Sequence, residues 1–399
     1  MESLVDKNAL VMMGGGIAAY KAVLLVRELQ RRGAKVRVAM SPSATKFVGT
    51  VTLAGLTGEP VATNLWDEAY PGEMHVELAA WADVIVVAPA TMNLMARAAA
   101  GFADDVVLAT LACRRCPAIM APAMHTAMWQ RASTQRNVRA LTDEGITIVG
   151  PERGALANGE VGEGRMAEPE AIADAVLSCF LPSDYLGKYV VVSAGPTHED
   201  IDPVRFIGNR SSGRMGFALA RAARLRGAKV TLVAGPTHLR ADPRIDRVDV
   251  RSAIDMHEAM RVAVGGDHQP DLVIMAAAVA DYRPETRSPQ KRKKQVGSTA
   301  LPLVRNPDIL QDLGISRAGK RPVLVGFALE TENLIGSART KLRLKKVDLI
   351  VANLAADALG SEENDAVLVS IADEVPLGRL SKTELAHRIL DQALLRLIS

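Results

Sequence analysis

Short β-branched, apolar runs recur along the chain and alternate with longer stretches whose apolar positions repeat at helical spacing. In the first part the runs are Leu10–Met13, Lys35–Met40, Val84–Ala88, Ala118–Ala121 and Ile146–Val149. Ala- and Leu-rich helical patterns such as Ala18–Arg32 and Asp104–Ala112 lie between them, and Pro169–Phe180 closes the segment. This alternation predicts a mainly parallel sheet with helices on both faces. Residues 181–188 (LPSDYLGK) break the pattern, which then restarts with Tyr189–Ser193, Lys229–Ala234, Asp271–Met275, Pro322–Phe327 and Asp348–Ala352. Two α/β domains follow, Rossmann-like and three-layered, over residues 1–181 and 187–399. One echo supports the division: Arg32-Gly33-Ala34-Lys35-Val36 recurs as Arg226-Gly227-Ala228-Lys229-Val230. Each copy reads as a helix end, a glycine C-cap and a strand start.

Composition narrows the class. A chain of 399 residues is long for one core, which also favours two domains. It is 48% hydrophobic, 23% charged and only 4% aromatic, a soluble globular balance. A net charge of +3 is too small to point to nucleic acid as partner. No run is apolar for the roughly 18 residues of a membrane helix, so no membrane partner is expected. The N-terminus shows no signal-peptide pattern, and the three cysteines fit a reducing compartment. A cytoplasmic location is therefore expected. Cys113 and Cys116 form C-R-R-C, but no second Cys or His pair lies at matching spacing for a zinc site.

Two glycine loops carry the candidate chemistry. The first, GGGIAAYK (14–21), fits G-x-G-x-x-A, a weak dinucleotide fingerprint. A dinucleotide site also wants an acidic residue at the end of the second strand. Here that strand ends in hydroxyl residues, Ser41, Ser43 and Thr45. Hydroxyls and backbone amides suit the phosphate of a mononucleotide, so FMN fits better than NAD. Thr91 and Asn93 follow strand 84–88 at the edge where α/β ligands bind, although Thr91 also reads as a plain helix cap. The second loop, residues 193–216, offers Asn209, Ser211, Ser212 and Gly213 to phosphates and lacks the P-loop Gly-Lys-Ser/Thr. Lys291-Arg292-Lys293-Lys294 reads either as a solvated basic face or as a mobile loop closing over a triphosphate. His75, Leu78, Ala79 and Ala82 share a helical stripe, which places this imidazole on a packed face.

Longer motifs resemble known families. GGGIAAYK (14–21), HVELAAWAD (75–83), PATMN (89–93) and APAMHTAMW (121–129) resemble the flavin-dependent cysteine decarboxylases, a flavodoxin-like fold. GPTHEDIDPVRFIGNRSSGRMG (195–216), AAAVADYRP (276–284), KRKK (291–294), NPDIL (306–310) and VGFALETEN (325–333) resemble phosphopantothenate–cysteine ligase. The fusion of the two is the bacterial bifunctional coenzyme A biosynthesis family, and the likeness spans nearly the whole chain. It implies that 4′-phosphopantothenate, cysteine and CTP, with Mg²⁺, give 4′-phosphopantothenoylcysteine through an acyl-cytidylate. FMN-dependent decarboxylation to 4′-phosphopantetheine then follows.

The same resemblance implies site residues. Gly15, Gly16, Ile17, Ser41, Thr91 and Asn93 would hold FMN, with His75 the active-site histidine and Met124 contacting substrate. Asn209 would stabilise the acyl-cytidylate, with Arg205 nearby, and Lys291 would assist its formation by countering phosphate charge. Ala276, Ala277, Asp281, Asn306, Pro307, Asp308, Ile309, Leu310, Phe327, Lys341 and Lys345 match CTP-binding positions. Lys341 and Lys345 are four apart and share a helix face, either as a triphosphate pair or as an ordinary basic face. The family also implies trimeric flavin domains and dimeric ligase domains, together a dodecamer.

Two positions depart from the family. The motif P-x-M-N-x-x-M-W reads with His125 in place of Asn, and the flap over 154–166 has Asn158 where a cysteine is usual. That cysteine is the expected proton donor in the final reduction, and an amide is no acid near neutral pH, so His125 or His75 becomes the candidate donor. The competing expectations are an active ligase with an impaired flavin half, and a flavoprotein serving as a binding or regulatory subunit. The latter relatives carry long acidic tails, whereas residues 382–399 read as a plain amphipathic helix.

Overall fold

The computed structural model describes residues 3–67, 72–266, 268–293, 300–330, 333–354 and 363–398. The chain divides into two compact units, Glu2–Leu181 and Pro182–Ser399. The second starts ahead of residue 187 because Tyr185 is fully buried in its core.

The first unit runs β1 (Asn8–Met13), α1 (Ala19–Arg31), β2 (Lys35–Met40), α2 (Thr50–Thr57), α3 (Met74–Trp81), β3 (Val84–Ala90), α4 (Met92–Ala99), α5 (Val106–Ala112), β4 (Ala118–Pro122), α6 (Thr126–Trp129), α7 (Ala132–Asp143), β5 (Ile146–Ile148), β6 (Glu152–Ala155), β7 (Val161–Arg165) and α8 (Pro169–Ser178). β1 to β5 form one parallel sheet in the order β2-β1-β3-β4-β5. Helices cover both faces, so every residue of β3 is buried, which explains its continuous apolar run. The strand order reverses between β1 and β3, the place where a crevice opens at the carboxyl edge. β6 and β7 form a separate antiparallel hairpin.

The second unit runs β8 (Tyr189–Ala194), β9 (Glu199–Asp200), β10 (Phe206–Ile207), α9 (Arg214–Leu225), β11 (Lys229–Ala234), β12 (Asp246–Asp249), α10 (Ala253–Gly265), β13 (Leu272–Met275), β14 (Tyr282–Pro284), β15 (Leu303–Arg305), α11 (Ile309–Ser316), β16 (Val323–Glu330), α12 (Leu334–Lys345), β17 (Leu349–Leu354), β18 (Glu363–Val369), β19 (Glu374–Ser381) and α13 (Lys382–Leu397). Its main sheet has the order β12-β11-β8-β13-β16-β17-β18-β19. β12 to β17 are parallel, whereas β18 and β19 add an antiparallel edge that the apolar runs did not reveal. β19 alternates half-buried with exposed positions, so it lacks the continuous apolar signature of the parallel strands. Two small ribbons, β9–β10 and β14–β15, stand outside the main sheet.

The repeated Arg-Gly-Ala-Lys-Val has a structural counterpart in both units. Gly33 and Gly227 take φ values of 96° and 97°, which end the first helix of each unit. The arginine before each glycine, half-buried at Arg32 and fully buried at Arg226, reaches the last helix of its unit. Arg32 pairs with Asp174 at 2.6 Å, and Arg226 pairs with Asp391 at 2.7 Å and with Asp184 at 2.6 Å. Tyr185 Oη donates to the Leu390 carbonyl at 2.7 Å, and Arg226 Nη1 donates to that of His387 at 3.2 Å.

His387 itself is 1% exposed. Burial, aided by the Arg226 charge and opposed by Asp391, pushes its imidazole down to about 4. The unfolded imidazole titrates near 6.5, so above that pH both states are neutral and stability is complete. Between 6.5 and 4 only the unfolded chain takes up the proton, and the second unit should lose about 3 kcal/mol by pH 4. Amide exchange of residues 382–397, corrected for intrinsic rate, should quicken as pH falls through this window, and His387→Leu should flatten the dependence. Equal pH dependence in the two proteins would contradict the assignment.

Candidate active sites

In the first unit the loops after β1, β2 and β3 meet at the carboxyl edge. The Gly14 amide donates to the Pro89 carbonyl at 3.1 Å. A Cβ on Gly14 would sit 2.5 Å from that oxygen, and one on Gly15 would sit 2.5 Å from Ser43 Cβ and Oγ. Such distances exclude any side chain. Ser41 is buried, its amide donates to the Met13 carbonyl at 3.0 Å, and its Oγ accepts from the Ala44 amide at 3.3 Å. Its Oγ also lies 3.1 Å from Ser43 Oγ. Thr91 does act as a helix cap, accepting from the Leu94 amide at 3.3 Å, while its Cγ2 lies 3.5 Å from a Cβ built on Gly16. Asn93 and Ile17 are exposed beside these groups. Backbone amides, hydroxyls and the absence of a carboxylate at the end of β2 thus coincide in one cradle.

His75 belongs to the same edge. Asn8, the first residue of β1, donates through Nδ2 to the Trp81 carbonyl at 3.0 Å, fixing the end of α3 at the amino edge of the sheet. The start of α3, where His75 lies, therefore faces the carboxyl edge. Leu78, Ala79 and Ala82 are buried as the stripe predicts, but His75 is half-buried, one turn out from that packing.

The β6–β7 hairpin folds onto the β4–α6 connection. The Met124 amide donates to the Gly164 carbonyl at 3.0 Å. Gly164 has a φ of 157°, and a Cβ there would collide with the Met124 carbonyl. At the hairpin tip His125, Asn158 and Glu160 come together. His125 Nδ1 accepts from the Ala127 amide at 3.2 Å, which puts the neutral ring's proton on Nε2. His125 Nε2 then donates to Glu160 Oε2 at 2.7 Å. The Glu160 amide donates to Asn158 Oδ1 at 3.2 Å. Hydrogen bonds from Asn158 and His125 hold the Glu160 carboxyl below its usual range. Asn158 Nδ2 lies 3.2 Å from Nε2, a contact that cannot be a hydrogen bond in this tautomer. Glu160 was not singled out from the sequence, although it lies inside the flap motif. Below the hairpin, Lys21 is buried and donates to the Met166 carbonyl at 3.0 Å and to Glu168 at 2.9 Å. The first glycine loop and the hairpin exit are thereby linked.

In the second unit the cleft lies at the carboxyl ends of β8, β13 and β16. The segment after β13 is held from several sides. The Ala277 amide donates to the buried Ser193 Oγ at 3.2 Å, and the Ala280 amide to the buried Thr197 Oγ1 at 3.0 Å. Asn209 Nδ2 donates to the Val279 carbonyl and Asn306 Nδ2 to the Ala280 carbonyl, both at 2.8 Å. The Asn306 amide reaches the Asp281 carbonyl at 2.9 Å, and Asp281 is exposed. Ala276, Ala277, Asn209 and Asn306 are thus brought together around one loop. Gly213 caps α9 at a φ of 79°, and a Cβ there would lie 3.3 Å from Gly195.

Other expected residues take different places. Pro307 is half-buried and Asp308 caps α11 through the Gln311 amide at 3.1 Å. Ile309 and Leu310 are buried in the core, so their side chains pack and do not face the cleft. Lys341 and Lys345 share a face of α12, but each is engaged: Lys341 donates to the Phe327 carbonyl at 2.6 Å, and Lys345 pairs with Asp308. Burial lowers the Lys345 ammonium, with Asp281 opposing. Arg205 faces the buried Asp202 at 2.6 Å, Lys291 is exposed, and Lys294 lies outside the described residues. Asp202 was likewise not singled out, although it sits in the quoted Asp-Pro-Val-Arg. Among the described residues no group of three or more His, Cys, Asp and Glu could hold a metal, and no helix is long and apolar enough to cross a membrane.

These two strand-end clefts define a two-domain α/β enzyme whose first unit is of flavoprotein type. Residues 1–181 match the family described as Flavoprotein, and residues 185–396 match the DNA/pantothenate metabolism flavoprotein C-terminal domain. The coenzyme A biosynthesis bifunctional protein CoaBC of Vibrio cholerae serotype O1 is 41% identical over 396 residues, 98% of either chain. That of Mycobacterium tuberculosis is 44% identical over 407 residues, covering 97% of this chain and 96% of the relative. A crystal structure of the C-terminal domain of such a protein is 38% identical, covering 54% of this chain and 98% of its own, with a TM-score of 0.46. The chain belongs to the bifunctional coenzyme A biosynthesis family.

The hairpin geometry predicts an ordering of glycine variants. Gly159→Ala meets open space but a φ of 86°, a left-handed penalty of about 1–2 kcal/mol. Gly164→Ala adds a backbone collision and should cost more, read as a larger loss of denaturation midpoint in urea for the first unit's tryptophan signal. Equal losses would contradict the close packing of β7 on Met124.

Proposed function

We propose that the second unit joins 4′-phosphopantothenate to cysteine at the expense of CTP, and that the first unit decarboxylates the product to 4′-phosphopantetheine with FMN. The observation supporting this reading is the pairing, in one chain, of a carboxylate-free phosphate cradle with a second strand-end cleft bordered by amides and basic residues.

In the ligase cleft, amides at the start of α9 and around Ser211–Gly213 suit a phosphate, since Gly213 supplies no capping side chain. Asn209 spans from this loop to the segment after β13, so its amide lies where an acyl-cytidylate would be held. Asp281, Asn306, the backbone of 307–310, Phe327 and Lys345 border the nucleotide side. Lys345 and the exposed Lys291 counter triphosphate charge as the carboxylate attacks and pyrophosphate leaves. The cysteine amine then displaces CMP. Mg²⁺ comes as the complex with CTP, its ligands being mainly phosphate oxygens.

In the flavin cleft, the amides of Gly15, Gly16 and Ile17 and the hydroxyls of Ser41, Ser43 and Thr91 fit the phosphate of FMN. When bound, FMN supplies the two-electron oxidation of the cysteinyl thiol and the return of those electrons after carbon dioxide is lost. His75 lies on the same sheet edge to take or give a proton. The hairpin excludes water from the bound substrate. His125 stands where the family has Asn, and its Nε2–H is polarised by Glu160. Deprotonated Glu160 can stabilise an imidazolium at His125, and only that protonated ring, released from the Ala127 amide, can donate in place of the absent cysteine acid.

Tyr20 and Leu24 are exposed on one stripe of α1, and Ile17 is exposed in the loop just ahead of it. An exposed apolar surface there fits self-association of the flavin domains, and the family resemblance implies trimeric flavin domains and dimeric ligase domains, together a dodecamer. Three free thiols support a cytoplasmic setting.

Purified protein given CTP, Mg²⁺, cysteine and 4′-phosphopantothenate should yield 4′-phosphopantetheine by mass spectrometry. A product lighter by two hydrogens (~2 Da) would overturn the reduction step, and His125→Asn with Asn158→Cys should then restore it. Absence of 4′-phosphopantothenoylcysteine and of every product derived from it would overturn the ligase assignment.

A further inference from the structure

Asp202 is 1% exposed, yet it accepts hydrogen bonds from two segments far apart in sequence. Its Oδ1 accepts from the amides of Val204 at 2.9 Å and Arg205 at 3.0 Å. Its Oδ2 accepts from Arg205 Nε at 3.0 Å, from Arg205 Nη2 at 2.6 Å and from the Arg292 amide at 3.2 Å. Arg205 Nη2 also donates to the Arg292 carbonyl at 2.6 Å. Both backbone groups of Arg292 are therefore occupied by one ion pair of the glycine loop. The Ser288 amide donates to the Ile201 carbonyl at 2.9 Å, and Arg287 pairs with Asp200 at 3.0 Å. The segment 287–292 is fastened at both ends to the loop between β9 and β10.

We propose that Asp202 is a positioning residue, which together with Arg205 clips the basic run 291–293 to the glycine loop and so holds Lys291 over the ligase cleft. The physical basis is an exposed run of like charges. Lys291, Arg292 and Lys293 repel one another, and the described run lies outside helix and strand. Without a fastening the run would spread over many conformations, and Lys291 would reach the triphosphate only in a fraction of them. A buried carboxylate bound to both the Arg205 side chain and the Arg292 amide removes that freedom. The clip is made before any nucleotide binds. It also changes the role of Arg205: its Nε and Nη2 are already committed to Asp202 and Arg292, which makes it a link between loops. Burial works to raise the Asp202 carboxyl, but the Val204, Arg205 and Arg292 donors outweigh it and hold it down at about 2. The clip is thus charged throughout the neutral range.

The role of Lys291 rests on the ligase reading above, but the clip can be tested apart from it. Full-length Asp202→Asn and Arg205→Lys proteins would be treated briefly with trypsin without nucleotide, and cleavage after 291, 292 and 293 quantified by mass spectrometry against cleavage elsewhere. Loss of this bond network should raise cleavage in the run about 5- to 30-fold for Asp202→Asn. Arg205→Lys keeps the charge but loses the two-pronged bridge, and should fall between it and the parent. Ligase kcat should drop about tenfold in Asp202→Asn while KM for cysteine stays within about twofold, the pattern of a lost transition-state contact. Unchanged cleavage in both variants would overturn the clip, as would a rise spread evenly over the whole second unit. If Asp202→Asn does not fold, Arg205→Lys decides alone. Faster cleavage in a protein that shows no ligase activity at all would leave the clip standing and remove the ligase reading.

Discussion

The constraint on which the rest of this structure depends is the near contact of backbone with backbone at the carboxyl edge of each sheet. Where strand order reverses, the loop after the first strand must pass within hydrogen-bonding distance of the loop after a neighbour. Gly14 does so against Pro89, and Gly235, after β11, against Ala194 and Pro196 at the end of β8, while Gly15 closes on Ser43. A side chain at these positions would push the loops apart and take the place of a ligand. Everything else is arranged around these approaches. Polar groups that would otherwise fill the gap, Ser41 and Ser193, are buried and bonded to backbone amides, so they shape the edge without blocking it.

The two units repeat one solution for fixing that edge. In each, the first helix ends at an arginine and a left-handed glycine, and the arginine crosses to a carboxylate of the final helix. Arg32 with Asp174 and Arg226 with Asp391 secure the ends of the chain of each unit to the helix that follows the glycine loop. Fully buried Arg226 left without its carboxylate would be strongly destabilising, and half-buried Arg32 makes the same tie between the opening and closing helices. The loops beside the clefts differ: the first unit carries a hairpin bearing Asn158 and Glu160, and the second a basic run whose Arg292 backbone is bonded to Asp202 and Arg205.

Much of this was legible in the sequence, and the reasons for the exceptions are physical. Fully buried parallel strands such as Val84–Ala90 announce themselves as continuous apolar runs. The antiparallel edge β18–β19 did not, because a strand with one wet face mixes polar and apolar residues. The cradle of the first unit could be read from hydroxyls replacing a carboxylate at the end of β2. The turn 306–310 could be placed, but not the burial of the Ile309 and Leu310 side chains in the core. Lys341 and Lys345 share a face as their spacing requires, yet each is bonded to a neighbouring element, which no spacing discloses. Glu160 and Asp202 escaped notice because their partners, His125 and Arg292, lie 35 and 90 residues away.

The account rests on the first cradle being shaped for a flavin phosphate by the absence of side chains at Gly14 and Gly15. Its most direct test is the visible absorbance that stays with the protein through gel filtration. The parent protein should emerge coloured, releasing free FMN on denaturation, and Gly15→Ala should remain folded by far-ultraviolet circular dichroism yet emerge almost colourless. A colourless parent that takes up no FMN, or a Gly15→Ala protein that retains it as fully as the parent, would contradict the account.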